Sequence, residues 1–212
     1  MAIGHMTFDE INSHNRLRKA IPYEEYFGEM ELTEEQKQER ISLAKKLEEN
    51  FLFVLALLFT MQQYNAVAWE TIRARFQTGY MNALSETIVM DDYIRNYVRN
   101  FSNDVMETTM GHQNDPYYYT QDRAAFMAEN EANTFFNYSD YSDAIKAGKK
   151  MKRWIDIRDK RERETHRLVG GTSKKISEPF LVGDSFMMFP KDTSMGASGS
   201  EIVNCRCSIK YF

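Results

Sequence analysis

Apolar and polar positions follow a helical rhythm through the first two-thirds of the chain. Between Leu32 and Leu84 there is no proline, and no glycine before Gly79. Thr33 followed three residues later by Gln36 has the form of a capping box, in which each side chain satisfies the other's backbone N–H. One or two long helices are predicted here, amphipathic at first and buried later. The most apolar run, FLFVLALLF at Phe51–Phe59, is nine residues long and flanked by Glu48, Glu49, Gln62 and Gln63. A membrane span needs about 20 apolar residues, so the run is expected to be a core helix buried on all sides, not a membrane segment. Ile88, Tyr93, Tyr97, Val98, Phe101 and Val105 recur at helical spacing and predict a helix over 85–110. The Asn-Asp-Pro in HQNDPYYYT marks a loop at 112–120. A further helix is predicted over 121–145, with Phe126, Phe135 and Phe136 on its apolar side.

The rhythm changes after Gly148. Glycine at 170, 171, 183, 196 and 199 and proline at 179 and 190 punctuate the short apolar segments EPFLV, SFMMF and EIVNC. Short strands joined by turns write this pattern. The expected fold class is therefore α+β: a mostly helical region over 6–148, then a small α+β module over 149–212 with short antiparallel strands. MAIGHM resembles an expression scar, and Met1–His5 are set aside from the fold.

The terminal EIVNCRCSIKYF alternates strictly. As a strand it would place Val203, Cys205, Cys207, Ile209 and Tyr211 on one face, and Asn204, Arg206, Ser208 and Lys210 on the other. Two residues apart on a strand, Cα atoms lie roughly 6.5–7 Å from each other, at the edge of disulfide range. Reduced, inward-facing thiols are expected. Such thiols either pack in the core, the preferred reading, or serve as two zinc ligands if a histidine or acid approaches.

Composition adds bounds. The chain of 212 residues has 42% apolar residues, two cysteines and 13 methionines, enough for one good core and too few cysteines for a disulfide scaffold. No signal-like start is evident, which points to synthesis in a reducing cytosol. The net charge of -4 argues against a wholesale polyanion binder. Yet residues 145–175 hold seven Lys and five Arg against two Asp and two Glu, a net +8, leaving −12 on the remainder. A basic segment on an acidic body is either a phosphate-binding face or a solvated helix whose charges pair locally.

Order and spacing carry a resemblance. WIDIRDKRERETHRLVGG supplies Trp154, Asp159, Arg161, Arg163, His166 and a glycine; Phe180, Pro190, Asp192 and Asn204-Cys205-Arg206-Cys207 follow. Over about residues 121–209 this resembles the head-morphogenesis domain of the phage Mu F-like minor head proteins of tailed bacteriophages. Arg123, Glu131 and Asn137 fill the places of a preceding family helix, while Asn130 stands where threonine is usual. The resemblance implies a minor structural protein of the phage head, made in the bacterial cytoplasm and housed in the virion interior. Its implied partners are the portal protein at the portal vertex, capsid or scaffolding protein, and double-stranded DNA, with no membrane. Lys146, Lys149, Lys150, Lys152 and Arg153 are the candidate phosphate contacts.

For the shared residues Trp154, Asp159, Arg163, His166, Asn204, Cys205, Arg206 and Cys207, two roles compete. One is a metal shell of His166, Cys205 and Cys207, completed by Asp156 or Asp159. The other, preferred, is a cofactor-free buried network of Asp159, Arg163, His166 and Arg206, with an Asp159–Arg163 pair at i,i+4. No catalytic residues are assigned. The alternative function is a small nuclease-like domain using Asp159, Arg163, His166 and Arg206 for acid–base work and phosphate clamping.

Overall fold

The computed structural model describes residues 20–61 and 63–212; the segment read as an expression scar lies outside them. Helices come first: α1 (Tyr23–Gly28), α2 (Glu34–Met61), α3 (Ala66–Ser85), α4 (Asp92–Gly111) and α5 (Gln121–Lys146), with a 3-10 turn at Pro116–Tyr119. Then follow β1 (Met151–Ile155), α6 (Glu164–Val169), β2 (Ser173–Lys175), β3 (Phe180–Val182), β4 (Ser185–Met187), α7 (Gly199–Ile202) and β5 (Ser208–Tyr211). The fold is α+β, helical first and stranded last.

Local chemistry sets the helix starts. Gln36 N donates to Thr33 Oγ1 at 3.2 Å and Thr33 N to Gln36 Oε1 at 3.1 Å, closing the capping box. Asn65 accepts from Ala68 N and starts α3. The helix anticipated from Ser85 begins only at Asp92, because Asp91 accepts from Ile94 N at 2.9 Å and caps it there.

The chain forms two compact units, one of Ile41–Ala132 and one that includes Pro22–Arg40 and Asn133–Phe212. In the first, the Phe51 ring meets Phe76, Tyr80 and Phe101 at 5.6, 5.2 and 5.7 Å between centroids. Both Tyr80 and Tyr97 donate their hydroxyls to the buried carboxylate of Glu131. The FLFVLALLF run is not buried on all sides. Phe51, Val54, Leu55 and Leu58 face the interior, whereas Phe53 and Phe59 are 49% and 59% exposed. Helical geometry turns successive side chains by about 100° each, so one partner face cannot cover all nine residues. Among the described residues no helix is long and apolar enough to cross a membrane.

In the second unit, β1 is the centre of an antiparallel sheet of order β2-β1-β5, with Arg153 opposite Ser173 and Trp154 opposite Ile209. β3 and β4 form a separate antiparallel pair. Trp154, Phe180, Val182, Met187, Ile202, Cys205 and Cys207 make its apolar cluster.

The change from helix to strand falls near residue 148, as the sequence pattern indicates, but the compact unit does not begin there. It also takes in residues 133–146 of α5 and the segment 22–40. Polar side chains cause the difference. Asn133 Nδ2 donates to Cys205 O at 3.0 Å, Asn137 Nδ2 to Cys207 O at 3.3 Å, and Tyr26 OH to Cys205 O at 3.5 Å.

Candidate functional site

The residues singled out near the chain's end gather around one short irregular segment. The predicted terminal strand is real only from Ser208 onward. Residues 199–202 are helical, and Asn204 adopts φ 57, a left-handed backbone that asparagine tolerates better than most residues. This turn breaks the strict two-face alternation. Cys205, Arg206 and Cys207 are consequently all buried, the two thiols unbridged. Asn133 and Tyr26 hold the Cys205 carbonyl and Asn137 the Cys207 carbonyl, which fixes the segment without ladder pairing.

His166 reaches this segment from α6. Its Nδ1 lies 3.4 Å from Cys207 Sγ and 3.5 Å from Cys205 Sγ, and its Nε2 lies 3.1 Å from Glu201 Oε2. Thr165 Oγ1 donates to the same Glu201 oxygen at 2.7 Å. The Trp154 ring packs edge-on against the imidazole, centroids 5.9 Å apart. Gly183, with φ 56, leaves the room that Glu201 occupies; a Cβ there would stand 2.6 Å from Glu201 Oε1. Gly170 similarly makes space for the Asp156 carboxylate.

The electrostatics follow from this packing. Burial alone would push the His166 imidazole down, but the Cys205 thiolate and the Glu201 carboxylate outweigh it and raise it to about 9. Burial would raise Cys205 too. The Cys207 thiol and the His166 charge instead hold it well below the usual thiol range. Cys207 is driven well above that range, first by its hydrogen bond to Cys205 and then by burial.

A second set of contacts surrounds Arg206. Burial opposes its charge, but Asp159, at 2.5 Å, and Glu29 more than compensate and raise its pKa. Arg161 joins Glu29 and Asp159. Arg163 makes no i,i+4 helical pair with Asp159, because residues 159–163 precede α6. Its guanidinium donates to Val203 O instead. The network anticipated from Asp159, Arg163, His166 and Arg206 therefore divides: Arg206 and Asp159 pair, while His166 turns to the thiols and Glu201. Neither Asp156 nor Asp159 joins the cluster; Asp156 pairs with Arg158.

Several contributors carried no local sequence signal. Glu29, Glu201, Asn133 and Lys191, whose Nζ donates to Ile202 O at 3.1 Å, are ordinary polar residues until the fold assembles them. Of the helix residues in the resemblance, Asn137 holds this site. Arg123 is buried, donating to Thr109 Oγ1 and Tyr118 O, and Glu131 accepts from the two tyrosines.

The basic segment is only partly available to a ligand. Lys146, Lys149, Lys150 and Arg153 are exposed. Lys152 is not a candidate phosphate contact: it is buried, donates Nζ to Met188 O at 2.7 Å and lies over the Tyr141 and Phe180 rings. The alternation of β1 turns it inward with Trp154 while Arg153 faces outward.

A family model described as "Phage Mu protein F like protein" matches residues 74–210, more than half of the chain. It begins well before residue 121, where the resemblance was first legible. No curated protein and no solved structure matches the chain.

Proposed function

The chain belongs to the Phage Mu F-like family of phage head-morphogenesis proteins, and from that premise we propose that it works as a minor head protein in procapsid assembly at the portal vertex. The family match carries this reading. The portal protein is the partner proposed first, with capsid or scaffolding protein beside it in the head interior.

A second element of the proposal is contact with packaged DNA. Lys146, Lys149, Lys150 and Arg153 are exposed, and Lys175, on the strand next to β1, is exposed as well. Phosphate contacts need charge and access but no base-edge readout, so binding would be sequence-independent. The acidic remainder keeps such binding weak for the isolated chain and local when it is docked.

Two measurements test the reading. Co-expression with the portal protein of the same phage should give a complex that survives purification; a portal that never retains the chain overturns the portal assignment. Double-stranded DNA binding, followed against salt, should weaken steeply as salt rises. Replacing Lys146, Lys149, Lys150 and Arg153 with glutamine should flatten that slope. Equal binding by variant and parent, or no binding by either at low salt, overturns the DNA contact.

A further inference from the structure

Among the described residues, His166, Cys205 and Cys207 are the one group of three whose ligand atoms all lie within 4.8 Å of one another, and all three are buried. From their identity and spacing we propose that His166 Nδ1, Cys205 Sγ and Cys207 Sγ form a zinc site that clasps α6 to the segment before β5. This goes beyond the head-protein reading and does not depend on it.

Distance is the first argument. Zinc binds thiolate sulfur at about 2.3 Å and imidazole nitrogen at about 2.0–2.1 Å, which at a tetrahedral angle separates nitrogen from sulfur by about 3.5 Å. The two separations here are 3.4 and 3.5 Å. A hydrogen bond accounts for one of them with ease. A single nitrogen facing two sulfurs at nearly equal distances is what convergence on a shared centre produces.

Orientation is the second. A metal-ligating histidine turns its other ring nitrogen to a carboxylate or carbonyl, which fixes the tautomer and aims the lone pair. Here Nε2 faces Glu201 Oε2 at 3.1 Å, leaving Nδ1 directed at the sulfurs. Thr165 and Gly183 hold Glu201 in place, one by hydrogen bond and one by leaving space.

Chemistry is the third. Two thiolates neutralise a divalent ion in a low-dielectric interior, and thiolate with imidazole selects zinc over the oxygen-seeking magnesium and calcium. Three protein donors leave a fourth position for a small donor such as water. Because the ligands come from residues 166, 205 and 207, one ion closes a long loop within a unit that has a small apolar cluster.

The test uses the full chain, stripped with a chelator and titrated with cobalt(II) and then zinc. One equivalent of cobalt should bring up tetrahedral visible bands and sulfur-to-cobalt charge transfer in the near ultraviolet, and zinc should abolish both. Glu201→Gln should keep the spectrum but weaken affinity about 10–100-fold, the usual effect of losing an orienting partner. Cys205→Ser and Cys207→Ser should each lose about half the charge-transfer intensity. If those variants fail to fold, the parent still decides. Zinc should protect both thiols from a thiol reagent at low denaturant, and chelation should release them together. No cobalt spectrum, a spectrum without sulfur charge transfer, or thiol reactivity indifferent to zinc overturns the site.

Discussion

Rings dominate the interior of the unit spanning Ile41–Ala132: Phe51, Phe76, Tyr80 and Phe101 pack together, Tyr97 stacks on Phe101, and Arg123, Glu129 and Glu131 are buried with them, Glu131 taking the two tyrosine hydroxyls. The unit containing Asn133–Phe212 has a smaller apolar cluster around Trp154 and surrounds it with buried Lys152, His166, Lys191, Arg206 and two thiols. The ring packing that dominates the first interior is largely non-directional, because apolar burial rewards area and tolerates many arrangements. The second depends on each polar group meeting its partner, since an unmet one costs its full desolvation. The two units should therefore fail in different ways when mutated.

Ring removal should have the largest effect in either unit. Phe51→Ala and Trp154→Ala each delete a fully buried aromatic and should cost about 3–5 kcal/mol, read by denaturant unfolding. The comparison sharpens with Phe51→Leu and Trp154→Leu: the helical unit should recover part of the loss, the other little. Equal recovery would erase the contrast.

Arg206→Met should cost about 2 kcal/mol, because Asp159 and Glu29 keep their charge and lose their partner. A double-mutant cycle with Asp159→Asn should show coupling well above the noise of independent sites. Additivity would mean the pair is ornamental to the fold.

Lys152 offers a pH signature. Burial holds its ammonium down at about 8, opposed mainly by the Asp192 charge and less by Glu178, while the Lys174 charge adds to the depression. Its folded value lies below the unfolded 10.5. The cost of burying the charge is thus full below pH 8 and fades as pH rises towards 10.5. Relative to Lys152→Met, the parent should gain about 2 kcal/mol across that window. A flat difference would show that the ammonium is well solvated.

The smallest effect belongs to the helical unit. Burial, and then Glu107, raises half-buried Asp104 to about 6. Its folded value exceeds the unfolded one, so the group lowers stability increasingly as pH rises from about 4 to 6 and fully above that. Asp104→Asn should therefore stabilise the chain at neutral pH by about 1 kcal/mol, allowing for solvent screening, and should change little at pH 4. A thermal melt at each pH checks it.

Helix spacing, the capping box at Thr33 and the shift to glycine- and proline-marked strands were legible in the sequence because they depend on residues close along the chain. So was the resemblance, carried by Trp154, His166 and the Asn-Cys-Arg-Cys segment. The inward burial of both cysteines could be read from alternation, although the strand thought to cause it begins only at Ser208. Tertiary structure decided the rest. Asn133 and Tyr26 reach Cys205 O across 72 and 179 residues, Glu201 orients His166, and Lys152 turns inward although its neighbours in the basic run face solvent. A local pattern records propensity and periodicity over a few residues. It carries no record of which distant donor will meet a given acceptor once the chain closes, and the His166–Cys205–Cys207 cluster exists only through such meetings.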